Sequence, residues 1–437
     1  MIKNQKFKQT EIGTIPEDWR VEKLKEICIK ITDGSHFSPK TKPVGKLIAT
    51  VKDMEDYGFN YSTCRIISES DFKNLVKQDC KPLKDDILIA KDGSYLKHVF
   101  VSNGKDEIVI LSSIAILRPN QNKIYPSFLK YLFTDSRTKE RVSGNYVSGA
   151  VIPRIVLRDF EKIDLPIPDL PEQQAIARIL SSLDSKIELN NKMNKILEAI
   201  GQTIFKRWFI NFEFPNEKGK SYKSSDGKMV ESELGMIPEG WKISKIGNEL
   251  KTVLGGTPDR TKPEYWNGSI NWINSGEVNE FRIISPSERI TKEGLDKSAT
   301  KILPKHTTVL AITGATLGQV SRLEIDTCAN QSVIGIIENE KIPSEFIYLL
   351  IKNEIEHMIS HQTGGAQQHI NKNNVDNYEF LLPSTDLLKE YKKLSNPIFN
   401  QIAKNCFENQ NLAKIRDSLL PKLMSGEIRV PLEEKYV

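Results

Sequence analysis

PEQQAIARILSSLDSKIELNNKMNKILEAIGQTIFKRWF, from Pro171 to Phe209, places Ile176, Leu183, Asn190, Leu197 and Ile204 at a seven-residue spacing. Ile179, Met193 and Ile200 fill the companion positions three residues further on. That spacing belongs to a helix packed along its length against another helix. Pro171 suits the first turn, where its missing N–H costs nothing, and Asp169 suits the N-cap. About 36 residues at 1.5 Å each make a rod of roughly 54 Å. The partner lies in the same chain: Tyr391, Ile398, Asn405, Leu412 and Leu419 repeat the pattern 215 residues later. Asn190 matches Asn405, and Asn194 matches Asn409. A lone Asn on an apolar seam costs stability and fixes register. If the helices run antiparallel, Asn190 and Asn405 are expected to face each other near the midpoint.

Outward from the helices the chain is duplicated. EIGTIPEDWRVEKLKEI (Glu11 to Ile27) returns as ELGMIPEGWKISKIGNE (Glu233 to Glu249), an offset of 222. A period this long marks a repeated domain, not a solenoid. In each copy, short strands precede an amphipathic helix: YPSFLKYLFTDSRTKERV in the first and SEFIYLLIKNEIEHMIS in the second. The expected fold is α+β: two duplicated mixed α/β domains, joined by two long antiparallel helices that form an intramolecular coiled coil with an approximate two-fold axis. The boundaries fall at 11–170 for the first domain, 171–210 for the central helix, 211–232 for a linker, 233–385 for the second domain and 386–425 for the C-terminal helix. The Gly-, Ser- and Lys-rich linker reads as flexible.

The 437 residues are 38% hydrophobic and 27% charged, a globular profile with two or three domains. No run of 18 apolar residues exists, so no membrane is expected. MIKNQKFKQTEIG lacks the apolar core of a signal peptide, and the five cysteines form no CxxC. A reduced, cytoplasmic chain without a metal site is expected. A net charge of +5 permits nucleic-acid binding without requiring it.

The search for catalytic motifs returns little. GxGxxG, HExxH and GxSxG are absent. Gly219-Lys220-Ser221 ends like a phosphate loop, but Phe214 stands where the first glycine belongs. Asn396-Pro397-Ile398-Phe399 looks like the amino-group-holding loop of adenine methyltransferases, yet it falls in the helical stripe and lacks the second proline. What the copies do share is polar and basic loops at matching places. The first has Ser35, His36, Lys40 and Lys42, then Lys91, Ser94, Tyr95, Lys97 and His98, then Arg154 and Arg158. The second has Thr257, Arg260, Lys262 and Tyr265, then Thr313, Thr316 and Gln319, then Gln367, Gln368, His369, Asn371 and Lys372. Arg and Lys neutralise phosphates or grip guanine, and Gln and Asn pair with adenine. Equal frameworks with unlike loops fit two modules that read two targets. Half-sites one helical turn apart are separated by roughly 34 Å, within reach of such rods.

With the paired IPEDW and IPEGW segments, the DGSH and GGTP loops, IDLPIPDLPEQQAIARILSSLD, IFKRWFINFEFP and the closing RDSLLPKLMSGEIRV, the chain resembles the specificity subunits of type I restriction–modification systems over nearly its whole length. The resemblance implies two target recognition domains, each reading half of a split double-stranded DNA site, and no catalysis in this chain. It implies two modification subunits carrying S-adenosylmethionine, and restriction subunits using ATP and Mg. It also implies contacts with modification subunits at the helix ends: here Phe205, Trp208, Phe209 and Phe212, and Leu419, Leu420 and Leu423. Sealing of the helix ends against the recognition domains is the competing role for these residues. LLPSTDLLKEYKKL departs from the family's second LPEQ lead-in. Two other functions remain to be separated from this one: a coiled-coil adaptor without DNA specificity, and a stand-alone methyltransferase or nuclease.

Overall fold

The computed structural model describes residues 6–149, 153–360 and 370–431. They form two compact units, 1–188 with 411–437 and 189–410. The first unit is built on Cys28–Asp33 (β1), Ile87–Ala90 (β2), Val99–Val101 (β3) and Ile114–Pro119 (β4), an antiparallel sheet in the order β3-β2-β4-β1. The second is built on Lys251–Leu254 (β5), Thr308–Ala311 (β6), Val320–Arg322 (β7) and Val333–Ile337 (β8), in the order β7-β6-β8-β5. The order is the same, so the duplication seen in sequence is a duplication of topology. A three-stranded sheet lies beside each, with one parallel pair: Ile108–Ile110 on Lys46–Ala49 in the first copy, and Cys328–Ala329 on Trp266–Ile273 in the second.

Alternation along the central strands builds two core layers. Ile87, Ile89, Ala115 and Leu117 face the helices, whereas Leu88, Ala90, Ile114 and Ile116 face the small sheet. In the second copy Leu310, Ile334 and Ile336 face the helices, and Val309, Ala311 and Val333 the small sheet. Both faces are covered, which is why these strands read as unbroken apolar runs. Pro126–Thr134 (α1) is the helix packed on the first sheet. The expected single helix there breaks at Asp135, which turns extended and caps Ser136–Tyr146 by accepting from the Thr138 N–H.

Leu170–Phe205 (α2), Ser344–Ser360 (α3) and Thr385–Met424 (α4) complete the helical layer. The long helices α2 and α4 are 36 and 40 residues, within a few residues of the expected bounds. Each compact unit contains part of both. Pro397 lies within α4, and Phe399 of the same tetrapeptide is fully buried against Tyr348.

Within the second unit α2 and α4 run antiparallel, and their seam corrects the expected register. Asn190 does not face Asn405. The Asn190 amide donates to Asn409 and Glu408 at 2.9 Å, and the Asn405 amide donates to Asn194 at 2.8 Å. Heptads fix which faces meet but leave the axial stagger open by a turn. The observed pairs are images of each other under the 215-residue repeat, so the crossing falls between the two asparagines of each helix.

Each unit also pins its α/β fold to α2 through a buried carboxylate. In the first unit Asp184 accepts from Lys130 at 2.5 Å, Tyr131 at 2.8 Å and Arg416 at 2.9 Å. Burial opposes its ionisation, yet the Lys130 charge and these donors hold it below the usual carboxylate range. In the second unit Glu198 accepts from Arg282 and Lys352 at 2.8 Å and from Tyr348 at 2.9 Å. Burial again opposes ionisation, and Arg282 and Lys352 overcome it, bringing Glu198 down to about 2.

At the helix ends the structure shows the sealing role. Phe205, Trp208 and Phe209 are buried within the second unit, where Phe209 meets Phe346 at 4.9 Å and Tyr391 at 4.8 Å between ring centres. Phe212 packs edge-on against Trp241. Leu420 and Leu423 are buried in the first unit's core with Ile15 and Trp19, and Leu419 lies partly buried against it. Most of the area of these side chains is spent on their own core, while Phe205 and Phe209 also line an open pocket with Phe346 and Tyr378. Large apolar residues close to a Trp-bearing turn seal the helix end. The 211–232 segment is also tied down: Phe214 stacks between Tyr222 and Trp241, and Met229–Ser232 pairs with Gly235–Pro238.

Candidate nucleic-acid interface

In the first copy three of the expected loops come together. Gly34 has no room for a side chain, since a Cβ would lie 2.1 Å from the Ile110 carbonyl oxygen. The next N–H, of Ser35, donates to that same oxygen at 2.9 Å. Close approach carries the Asp33–Phe37 loop to the Lys91–Ser94 turn. There Lys91 donates its N–H to the Ser113 carbonyl and accepts from Ile155, and Gly93 donates to Pro153. Arg154 is bridged to Asp92. Beneath the loops the Lys91 ammonium sits 3.3 Å from Asp33.

This geometry sorts the expected residues. Ser35 is buried, and its hydroxyl donates to the Phe37 carbonyl while accepting the Phe37 N–H. It holds the turn. Lys91 is also buried, so it buttresses the loop and does not reach outward. Tyr95 packs against the core. His36, Lys40, Lys42, Ser94 and Arg154 are exposed, beside a Phe37 that is 66% exposed. Lys97 is exposed but lies elsewhere. It lines a crevice of about 220 Å³ with Tyr57, Lys130, Lys139 and Arg416. His98 is held by Asp56 at 2.9 Å.

The second copy uses the same main-chain frame. Gly255 and Gly256 donate to Val333 and Ala329, as Gly34 and Ser35 do to Ile114 and Ile110. Ile312 takes the place of Lys91, donating to Ser332 and accepting from Ile370. An apolar side chain therefore stands where the first copy has an ion pair. Thr257 donates its hydroxyl to Gln331. Lys262 is exposed, and donation to the Tyr265 hydroxyl at 3.2 Å raises its pKa. Tyr265 itself is buried. Arg260 is engaged by Glu288, Trp266 and Trp272. Thr313 and Thr316 flank a half-buried turn, closed by the Thr316 hydroxyl on the Thr313 carbonyl. Lys372 pairs with Asp376 at 2.5 Å on a short helix capped by Asn371. Gln367, Gln368 and His369 lie outside the described residues.

Sequence reading missed Asp33, Glu288 and the two tryptophans that hold Arg260. Only the DGS and INW spellings hinted at them, because a buttress is defined by what folds beside it. Among the described residues no group of three or more His, Cys, Asp and Glu is placed to hold a metal ion, and no helix is long and apolar enough to cross a membrane.

A duplicated α/β scaffold presenting two unlike polar loop surfaces is the class that the fold and site define. Residues 16–199 and 238–414 match the family model of the type I restriction modification DNA specificity domain. The chain belongs to that family, the specificity subunits of type I restriction–modification systems. The MjaIX specificity subunit of Methanocaldococcus jannaschii is 27% identical, with 97% of this chain and 96% of that protein covered. The HindI specificity subunit of Haemophilus influenzae is also 27% identical, covering 84% and 91%. The crystal structure of a type I S subunit from M. genitalium shares the fold, with a TM-score of 0.57 at 15% identity over 93% of this chain and 96% of that one.

Proposed function

We propose that this chain is the DNA-reading subunit of a type I restriction–modification complex. Each copy reads one half of a split double-stranded target, and the length of α2 and α4 sets the number of unread base pairs. The observation that carries this reading is the identical main-chain frame under two different sets of exposed side chains. The frame positions, and the loops discriminate. The chain supplies no catalytic group in this reading. Two modification subunits bring S-adenosylmethionine and methylate adenine, and restriction subunits bring ATP and Mg.

The test is methylation-sensitive sequencing of genomic DNA from cells that carry the modification subunit, with and without this chain. A split, adenine-methylated motif that appears only with the chain is the expected result. An assembled complex that leaves no motif and shows no salt-sensitive DNA affinity would overturn the reading in favour of a coiled-coil adaptor. Binding of S-adenosylmethionine by the purified chain alone would favour a stand-alone enzyme.

A further inference from the structure

We infer that Arg260 is a guanine-reading residue of the second recognition domain, held in reading position by Glu288 and Trp266. This rests on the DNA-reading function proposed above.

The loop that carries Arg260 is fixed on both sides. The indole N–H of Trp272 donates to the Gly256 carbonyl at 3.1 Å, and that of Trp266 donates to the Asp259 carbonyl at 3.2 Å. Asp259 then accepts from the Thr261 N–H and hydroxyl at 2.9 and 2.8 Å, closing the turn around Arg260. Gly255 and Gly256 sit where an added Cβ would lie 2.1 and 2.6 Å from backbone atoms, so the loop's entry is packed against the sheet. On this support the guanidinium lies 3.7 Å from the Trp266 ring centre and 4.9 Å from that of Trp272. Residues 259–264 are all exposed except for what the loop itself covers, and the Arg260 side chain is about half exposed.

The chemistry of the remaining edge decides what it can bind. A guanidinium has five N–H donors in a planar fork. Glu288 takes the end of the fork, with one oxygen on Nη1 and the other 3.2 Å from Nη2. The side edge, Nε–H with the second Nη2 hydrogen, is left with the spacing that matches the O6 and N7 acceptors of guanine. Pairing with Glu288 also selects among ligands. Arg260 and Glu288 together carry no net charge, and a phosphate brought to this edge would be repelled by the carboxylate. A neutral base edge would not. Stacking on Trp266 removes most of the side chain's freedom before DNA arrives, so little ordering remains to be done on binding. The first copy has no such assembly, since its matching loop offers His36 and Phe37.

The experiment uses the full chain assembled with its modification subunits. Genomic methylation motifs are compared for the wild-type chain, Arg260→Lys, Arg260→Gln and Glu288→Gln, and the salt dependence of DNA binding is measured for each complex. The expected result is relaxation at one G·C position of one half-site, by roughly ten- to a hundred-fold in preference. The other half-site stays unchanged, and so does the slope of affinity against salt, because no phosphate contact is lost. Arg260→Lys keeps the charge and most of the volume, so it separates reading from folding. An unchanged motif in an assembled Arg260→Lys complex would overturn the inference. So would weakening spread evenly over the whole half-site, a fall of about one in the salt slope, or a wild-type motif with no G·C pair. Failure of the wild-type complex to leave any motif would instead count against the function itself.

Discussion

Tyr131 and Tyr348 occupy matching places in the two copies, and each hydroxyl donates a hydrogen bond to a carboxylate on α2, but the two carboxylates do not match. Asp184 serves the first copy, and 215 residues on from it stands Phe399, which packs edge-on against Tyr348 with ring centres 5.8 Å apart. The second copy takes Glu198 from a different turn of α2, and a fully buried Arg282 supplies the counter-charge. In the first copy the counter-charges are Lys130, which is largely buried, and Arg416 from α4, a quarter exposed. The duplicated domain has kept its need for an acceptor at the tyrosine and met it in two ways. Each clamp sets one largely buried cation, Lys130 or Arg282, beside one partly exposed cation, Arg416 or Lys352, and Arg282 is the more deeply buried of the first two. The loops repeat the lesson in reverse. There the first copy holds the buried ion pair, Lys91 with Asp33, and the second has Ile312 in the place of Lys91.

If burial sets what these clamps contribute, removing Glu198 is the most damaging change. Glu198→Ala leaves the buried Arg282 with Glu324, 3.6 Å from its Nε, as its remaining counter-charge and is expected to destabilise the second unit by about 3 kcal/mol. Denaturant unfolding followed by Trp fluorescence would measure it. A loss under about 1 kcal/mol would mean that water reaches Arg282, and the contrast between the clamps would disappear.

Acid should find the same clamp. The folded value of Glu198, about 2, lies below its ordinary 4.5. Its contribution is therefore complete above about pH 4.5 and drains away as the pH falls toward 2, on the order of 3 kcal/mol in all. Wild-type and Glu198→Gln stabilities, measured from pH 7 to 2, should converge across that window. Parallel curves would remove Glu198 as the titrating group.

Asp184→Ala should cost less, about 2 kcal/mol, because Arg416 can turn to solvent and Lys130 is less deeply buried than Arg282. Thermal unfolding of the two single variants sharpens the comparison, and the reverse ranking breaks it. The mildest change expected is the transplant Lys91→Ile with Asp33→Leu, which gives the first copy the residues that the second has at these places, Ile312 and Leu254. It should alter stability by under about 1.5 kcal/mol, whereas Lys91→Ile alone leaves the buried Asp33 carboxylate with only the exposed His36 beside it and should cost about 1–3 kcal/mol. Both can be read from urea midpoints.

Much of this architecture was legible. Heptad positions located α2 and α4 within a few residues, and the paired IPExW segments exposed the duplication, because periodicity and repetition are properties of the chain itself. The stagger of the helices was not legible, since Asn190 meets either Asn405 or Asn409 with the same faces buried. Nor was the fate of the helix-end aromatics. Phe205 and Trp208 look the same in sequence whether they seal a core or await a partner, and only the fold shows Tyr391 and Phe346 beside them. Among the site residues, loops were found but roles were mixed. Ser35 and Lys91 have the composition of a contact surface and the burial of a support. The signal that would have separated them, an Asp33 brought beneath Lys91, exists only after β1 and β2 are laid into one sheet with β4 between them.

The central claim, that each copy reads its own half of the target, is tested most directly by exchange. Residues 28–168 are replaced by the equivalent region of a relative with a different specificity, and the methylation motif of the assembled complex is sequenced. The account predicts one new half-site, one unchanged half-site and the same spacer between them. Change in both half-sites at once would contradict it.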